Sequence, residues 1–269
     1  MEEMGRTLGA ATGATVLNQD IYEISATQKH RLGTRVMRGD CVYRYAKSIV
    51  TITDLSTLVW NYYHQDISYA AIATASPIGS NKIYVTSGAA DGIANNGTFA
   101  AHSLEGGSLV TFDGGTTECY NFGIIDNDAA VSGGTITITL DGELPVATTA
   151  ASDYVEAMGS PYIVSSGNSG GFRGFQGAPM RLATTTYPYF WIKTWGPHWC
   201  SPQTNVGSAH DRNQVCVRHD GSIDLPGGAT LMKNGDPLYT ENAQLVGYVV
   251  THAQDNTQGA PFIMLQIMP

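Results

Sequence analysis

Charge is scarce in this chain: Asp, Glu, Lys and Arg make up only 14% of its 269 residues. Positive charge is the scarcer sign, with 14 Lys and Arg against 23 Asp and Glu, a formal net charge of −9. That balance argues against an unspecific grip on nucleic acid or on an anionic membrane. Between residues 83 and 172 there is no Lys or Arg at all, against ten acidic residues. Cysteine is equally sparse. Cys41, Cys119, Cys200 and Cys216 show no CxxC spacing, so zinc is not expected and free buried thiols are. Cys200 and Cys216 are left open as a pair facing each other across neighbouring strands. No apolar run approaches the about 20 residues of a membrane-spanning helix. The first four residues, MEEM, are acidic where a secretory leader is basic, and no apolar stretch follows. A protein made in a cytoplasm is therefore expected. Heptads, a strict repeat, a Walker loop and a GxGxxG opening a helix after a strand are missing. The seven histidines form no HxH or HExxH pattern, and no glycosidase pair can be picked from the scattered carboxylates.

What is present is glycine (31 residues) and period-two alternation. The densest stretch is Tyr187 to Cys200, YPYFWIKTWGPHWC, which holds Trp191, Trp195 and Trp199. On a strand, Tyr189, Trp191 and Lys193 point one way and Phe190, Ile192 and Thr194 the other. Gly196-Pro197 should break this run into two strands, because proline donates nothing to a ladder. Thr34 to Lys47 alternates around a Gly39-Asp40 turn, with Cys41, Tyr43 and Tyr45 on one face. Lys82 to Ser87, Ser108 to Phe112, Cys119 to Ile125 and Thr135 to Leu140 are further strand candidates. So are Gln244 to His252 and Phe262 to Ile267, and Gln214 to Leu225 reads as a hairpin. Asp141-Gly142 has hairpin-turn chemistry. Asp91 to Glu105 is a turn-rich excursion anchored by Phe99 and Leu104. Ile49 to Tyr63 is open between helix and strands. Asp153 to Tyr162 reads as a helical turn ended by Gly159 and Pro161. The fold expected is all-β: an antiparallel β-sandwich or barrel-type body with long loops and an extended N-terminal arm. The arm is residues 1–30, followed by a β-rich lobe over 31–160 and a second, with the aromatic strands, over 161–269.

Three motifs invite chemistry. Gly167-Asn168-Ser169-Gly170-Gly171 resembles the GDSGG nucleophile loop of chymotrypsin-like serine proteases, and Ala100-Ala101-His102 resembles the surroundings of their histidine. Asp126 and Asp128 are the candidate orienting acids. Only 66 residues separate His102 from Ser169, about half what that family places there, so no catalytic residue is assigned. Asp126-Asn127-Asp128 lacks the further oxygen ligands that calcium needs, and neither metal nor cofactor is expected. Arg38-Gly39-Asp40 matches the integrin tripeptide but reads as plain turn chemistry.

A resemblance of a different kind covers most of residues 31–269. Gly39 to Lys47, GDCVYRYAK, resembles the G-x-x-[FY]-R-Y-A-K segment of virion structural proteins from tailed bacteriophages. Tyr154 to Tyr162, Tyr189 to Cys200 followed by Arg212 to Gly221, Gln244 to Tyr248 and Met264 to Pro269 are similar to the same group, in the same order. The resemblance implies a non-enzymatic capsid decoration, or cement, protein on the capsid exterior of a virion. Its partners would be the major capsid protein and itself, as a homotrimer, with no nucleic acid and no membrane. Another virion component, tail or fibre, is the alternative, and a serine hydrolase using the GNSGG loop a further one. Lys29, Arg31, Arg35, Arg38, Arg44 and Lys47, six of the 14 basic residues within nineteen positions, are the expected interface to capsid or sister subunit.

Overall fold

The computed structural model describes residues 18–62, 66–116, 118–167, 174–202, 206–207, 213–226, 243–251 and 262–268. These residues contain strands and no helix. In chain order the strands are β1 (Arg35–Arg38), β2 (Cys41–Ser48), β3 (Val59–Asn61), β4 (Ile67–Thr74), β5 (Lys82–Thr86) and β6 (Ser108–Phe112). There follow β7 (Cys119–Asn127), β8 (Thr135–Leu140), β9 (Tyr154–Met158), β10 (Ile163–Ser165) and β11 (Phe175–Pro179). The chain closes with β12 (Tyr189–Trp199), β13 (Gln214–Val217), β14 (Ile223–Asp224), β15 (Leu245–Val249) and β16 (Phe262–Gln266).

Two bodies result. β4-β5-β8-β7-β6-β9 close a barrel, and the other ten strands form one sheet ordered β1-β2-β10-β3-β11-β12-β16-β15-β13-β14. The barrel is the part with the cleanest alternation. Ile136, Ile138 and Leu140 of β8 point inward and meet Ile83, Val85, Leu109, Ile124 and Val155. Phe99 and Leu104 anchor the excursion in that same core, as their spacing suggests. Tyr154–Met158 is a correction: it is a barrel strand and not a helical turn. Val155 and Ala157 alternate inward between β4 and β6, and these long-range pairings outweigh the local helix signal. Asp141-Gly142 is a second correction. It ends β8 but joins no hairpin, since β8 pairs with β5 and β7.

The sheet also closes on itself. β12 pairs with β11 on one edge and with β2 on the other, so β2-β10-β3-β11-β12 form a ring. Ala46, Val59, Val164, Phe190 and Ile192 fill its centre. The remaining strands curl over the outside of β3 and β11. There Leu58, Trp60 and Phe175 meet Val215, Val246, Ile263 and Leu265. Hence the two lobes are not consecutive in sequence. Residues 35–61 belong with the C-terminal strands, and the barrel is inserted between β3 and β10, which are neighbours (Val164 opposite Asn61). The expected boundary at 160 marks only the second crossing of this insertion.

The start of the chain also differs from a free arm. Gln19 and Ile21 are buried, and Ser25 bridges to Tyr189. Gln19 accepts from Tyr45 Oη through Oε1 (2.7 Å) and from Trp191 Nε1 through its carbonyl (3.1 Å), and donates through Nε2 to Tyr189 O (3.0 Å). These residues cover the outer aromatic face Tyr43–Tyr45–Trp191, which lies outside the ring and would otherwise meet water. The rest of the expected arm, residues 1–17, lies outside the described residues.

β12 runs unbroken through Gly196-Pro197, against expectation. The ladder to β2 ends at Trp195 opposite Val42, so Pro197 sits beyond it and needs no N–H on that edge. Gly196 has φ +110, and a Cβ there would lie 2.7 Å from Cys41 Sγ, so glycine is required. A bulge between Lys193 and Trp195 then reverses which face each later residue takes. Trp191 is 0% exposed and Trp199, of the same parity, is 37% exposed. Trp191→Ala should therefore cost roughly 3–5 kcal/mol, and Trp199→Ala no more than about 0.5 kcal/mol. Urea denaturation of the two variants checks this; equal midpoints would refute the bulge-reversed burial.

Candidate functional site

The six basic residues do not form one patch. Arg35 and Arg44 are cross-strand partners on β1 and β2 and share a face, whereas Arg38 and Lys47 lie on the opposite face. Several are engaged within the chain. Arg31 donates through Nη2 to Ile124 O (2.6 Å) and lies 3.8 Å from Glu105, tying the lead-in segment to the barrel. Arg38 pairs with Asp20 at 2.7 Å, and that partner holds the Asp20 carboxyl below its ordinary range. Arg44 donates to Gly33 O (3.2 Å) and lies over the Tyr162 ring, and Lys47 lies over the Tyr189 ring. Lys29 and Arg35 are exposed, and no side-chain partner holds either among the described residues. Of the expected interface, these two are the charges directed at solvent.

The hydrolase residues are placed in part. His102 sits on the barrel excursion with φ +64, and its Nδ1 meets Asp126 Oδ1 at 2.6 Å. Asp126 is one of the two acids singled out above. The pair is open to water, with the His102 side chain 69% exposed. Ser169 and its loop lie outside the described residues. Asn127, beside Asp126, is a structural pin: it accepts from Leu104 N (2.7 Å) and donates to Ala100 O (3.0 Å). Arg38-Gly39-Asp40 forms the tight β1–β2 turn, with Gly39 at φ +57.

All four cysteines are free thiols. Burial pushes both Cys200 and Cys216 up to about 12, so neither carries thiolate near neutral pH. Cys119 is exposed. No cluster of three or more metal-ligating side chains occurs among the described residues.

One further arrangement joins strands distant in sequence. Past the bulge, the residues of β12 that face solvent pair with solvent-facing residues of β16: Pro197 with Met264, and Trp199 with Phe262. Tyr248 of β15 continues the first row opposite Met264, and Val250 continues the second by donating to Phe262 O (2.8 Å). Trp199, Tyr248, Val250 and Phe262 are all exposed, which leaves an apolar ladder three strands wide. Beside it opens a cavity of about 480 Å³, whose lining includes Leu55, Ser56, Lys193, His198, Trp199 and Phe262. On the other face of β12, His198 lies opposite buried Ile263. Its Nε2 is buried without a hydrogen-bond partner among the described residues, and its pKa is held down at about 4, by burial first and by the Lys193 ammonium second. No residue-type pattern announces this site; the only local signal was the cluster of aromatics around Gly196-Pro197.

No protein-family model, curated protein or solved structure matches this chain.

Two outcomes follow. At pH 8 a thiol reagent should label Cys119 in the folded protein and reach Cys200 and Cys216 only after denaturation; mass spectrometry of labelled peptides reads this directly. The second concerns pH. The folded-state pKa of His198 lies below its unfolded value near 6.5, so its neutral form favours folding fully above that pH. That contribution is lost as pH falls from about 6.5 to about 4, because the unfolded chain takes the proton first. His30, also lowered by burial, acts in the same direction. Urea midpoints should drop between pH 7 and pH 4.5, and His198→Gln should flatten most of that drop.

Proposed function

We propose that this chain is a virion structural protein of the tailed-bacteriophage kind, and within that class a non-enzymatic capsid decoration protein. It attaches to the capsid exterior, with the major capsid protein and sister copies of itself as partners. The observation that carries this reading is the exposed apolar ladder on β12, β15 and β16. A chain of this size that leaves Trp199, Phe262 and Tyr248 in water presents the surface of an assembly component. A rigid all-β body and a sequence resemblance running through residues 31–269 support the same reading. Lys29 and Arg35 are the charges free to meet an acidic surface, while Arg31 and Arg38 serve the chain's own packing. A homotrimer suits threefold and quasi-threefold positions on an icosahedral shell.

The experiment is a reconstruction of the intact virion, with the purified chain sized by light scattering. A trimer on the outer shell is expected. Lys29→Glu combined with Arg35→Glu should weaken attachment and its dependence on salt, while leaving the fold intact. Finding the chain in the tail, or as a monomer absent from particles, would overturn the decoration reading.

The contact between His102 and Asp126 favours a second reading, a serine hydrolase with Ser169 as nucleophile. A fluorophosphonate probe separates the two. No labelling is expected; labelling lost in Ser169→Ala and again in Asp126→Ala would replace the structural reading with the enzymatic one.

A further inference from the structure

Lys193 is only 9% exposed, yet among the described residues no carboxylate forms an ion pair with it. The ion pairs among the described residues are Arg31–Glu105, Arg38–Asp20, His102–Asp126 and Arg218–Asp220. Its Nζ donates to Pro197 O (2.9 Å) and lies 5.7 Å from the centre of the Tyr43 ring. An ammonium has three donors, and one carbonyl and one ring face leave part of that capacity unused. A buried cation without an opposite charge is costly, and folds rarely retain one without a use. Lys193 lines the cavity of about 480 Å³ described above, so an anion can reach it there. The lining also includes the apolar side chains Leu55, Trp199 and Phe262, all exposed. Ser56 contributes a polar wall position, but its hydroxyl already donates to Asp54 Oδ1 (2.7 Å).

We propose that this cavity is a binding site for a carboxylate carried on an aromatic or apolar body. The carboxylate takes the free N–H directions of Lys193, and the body stacks against Trp199 and Phe262. Asp54 also lines the cavity and tunes the site. Its Oδ1 is held by the Ser56 backbone N–H and hydroxyl, both at 2.7 Å, which keeps its negative charge fixed beside the incoming anion. Asp54 therefore limits affinity for anions and opposes ligands of higher negative charge. The proposal does not depend on the assembly role: a ligand site of this kind is compatible with a virion component or with an enzyme.

The test uses the full chain and two probes of nearly the same shape, the anion phenylacetate and the neutral phenylacetamide. Binding is followed by tryptophan fluorescence and by calorimetry at low ionic strength. Phenylacetate should saturate and bind at least about tenfold more tightly than the amide, the worth of one charge-assisted contact. Lys193→Met should abolish that preference, Asp54→Asn should strengthen it, and Trp199→Ala should weaken both probes. Circular dichroism of Lys193→Met controls for folding. If that variant is unfolded, Asp54→Asn, on the cavity rim, decides the matter alone. Equal binding of the two probes, no saturation by about 10 mM phenylacetate, or an Asp54→Asn variant with unchanged preference would each overturn the proposal.

Discussion

Everything in the larger body depends on β12 having partners on both edges and, over its first half, packed side chains on both faces. Its pairing with β2 on one side and β11 on the other closes the ring. Phe190 and Ile192 fill that ring, and Trp191 sits outside it beneath residues 18–30. One strand thus joins the start of the chain, its middle and, through β16, its end. A strand so placed has no free edge and no wet face over this half, so its register is strongly specified. The inserted barrel is tolerated because it leaves from β3 and returns to β10, which lie side by side, and the closure entropy of an insertion grows only slowly with its length.

The second half of β12 follows a different logic. The bulge at Lys193–Trp195 shifts the alternation by one residue just where β2 stops pairing. Side chains that would have continued into the packed face are turned outward instead. The bulge therefore converts a core strand into the wall of a surface groove without ending the strand. It also leaves Lys193 at the junction, reaching past the bulge to the carbonyl of Pro197. A buried ammonium and an exposed indole are produced by one irregularity, and irregularities of this kind recur beside binding and active sites.

Charge is used economically. Arg31 spans from the lead-in segment to the barrel, and Arg38 clamps Asp20 next to the buried Gln19. Both are exposed enough that water screens them, so they position segments more than they stabilise them. Two of the chain's 14 cations thus serve internal roles and Lys193 is buried, while Lys29 and Arg35 stay directed at solvent.

Much of the architecture was legible in the sequence. Alternation bounds Thr135–Leu140 and Ser108–Phe112 to the residue, and Gly39-Asp40 is the turn its chemistry indicates. Alternation and turn residues act over a few positions, so they can be read locally. The placement of Phe99 and Leu104 as anchors followed from the same reasoning. Tyr154–Met158 failed because two strands distant in sequence, β4 and β6, supply the pairing that makes it a strand. Of the candidate sites, Asp126, which meets His102, is one of the two acids that the histidine motif singles out, but no local pattern marks the groove. Its residues come from positions 54–56, 193–199 and 262, and nothing in their spacing links them. The sequence by itself determined which segments become strands and where they turn, because backbone preference and side-chain period are local. Only the tertiary structure decided which strands meet, which side of the bulge each tryptophan takes, and that Lys193 is buried with no ion pair among the described residues. Those outcomes depend on register between segments far apart in the chain, and register is settled by packing against partners that no local pattern specifies.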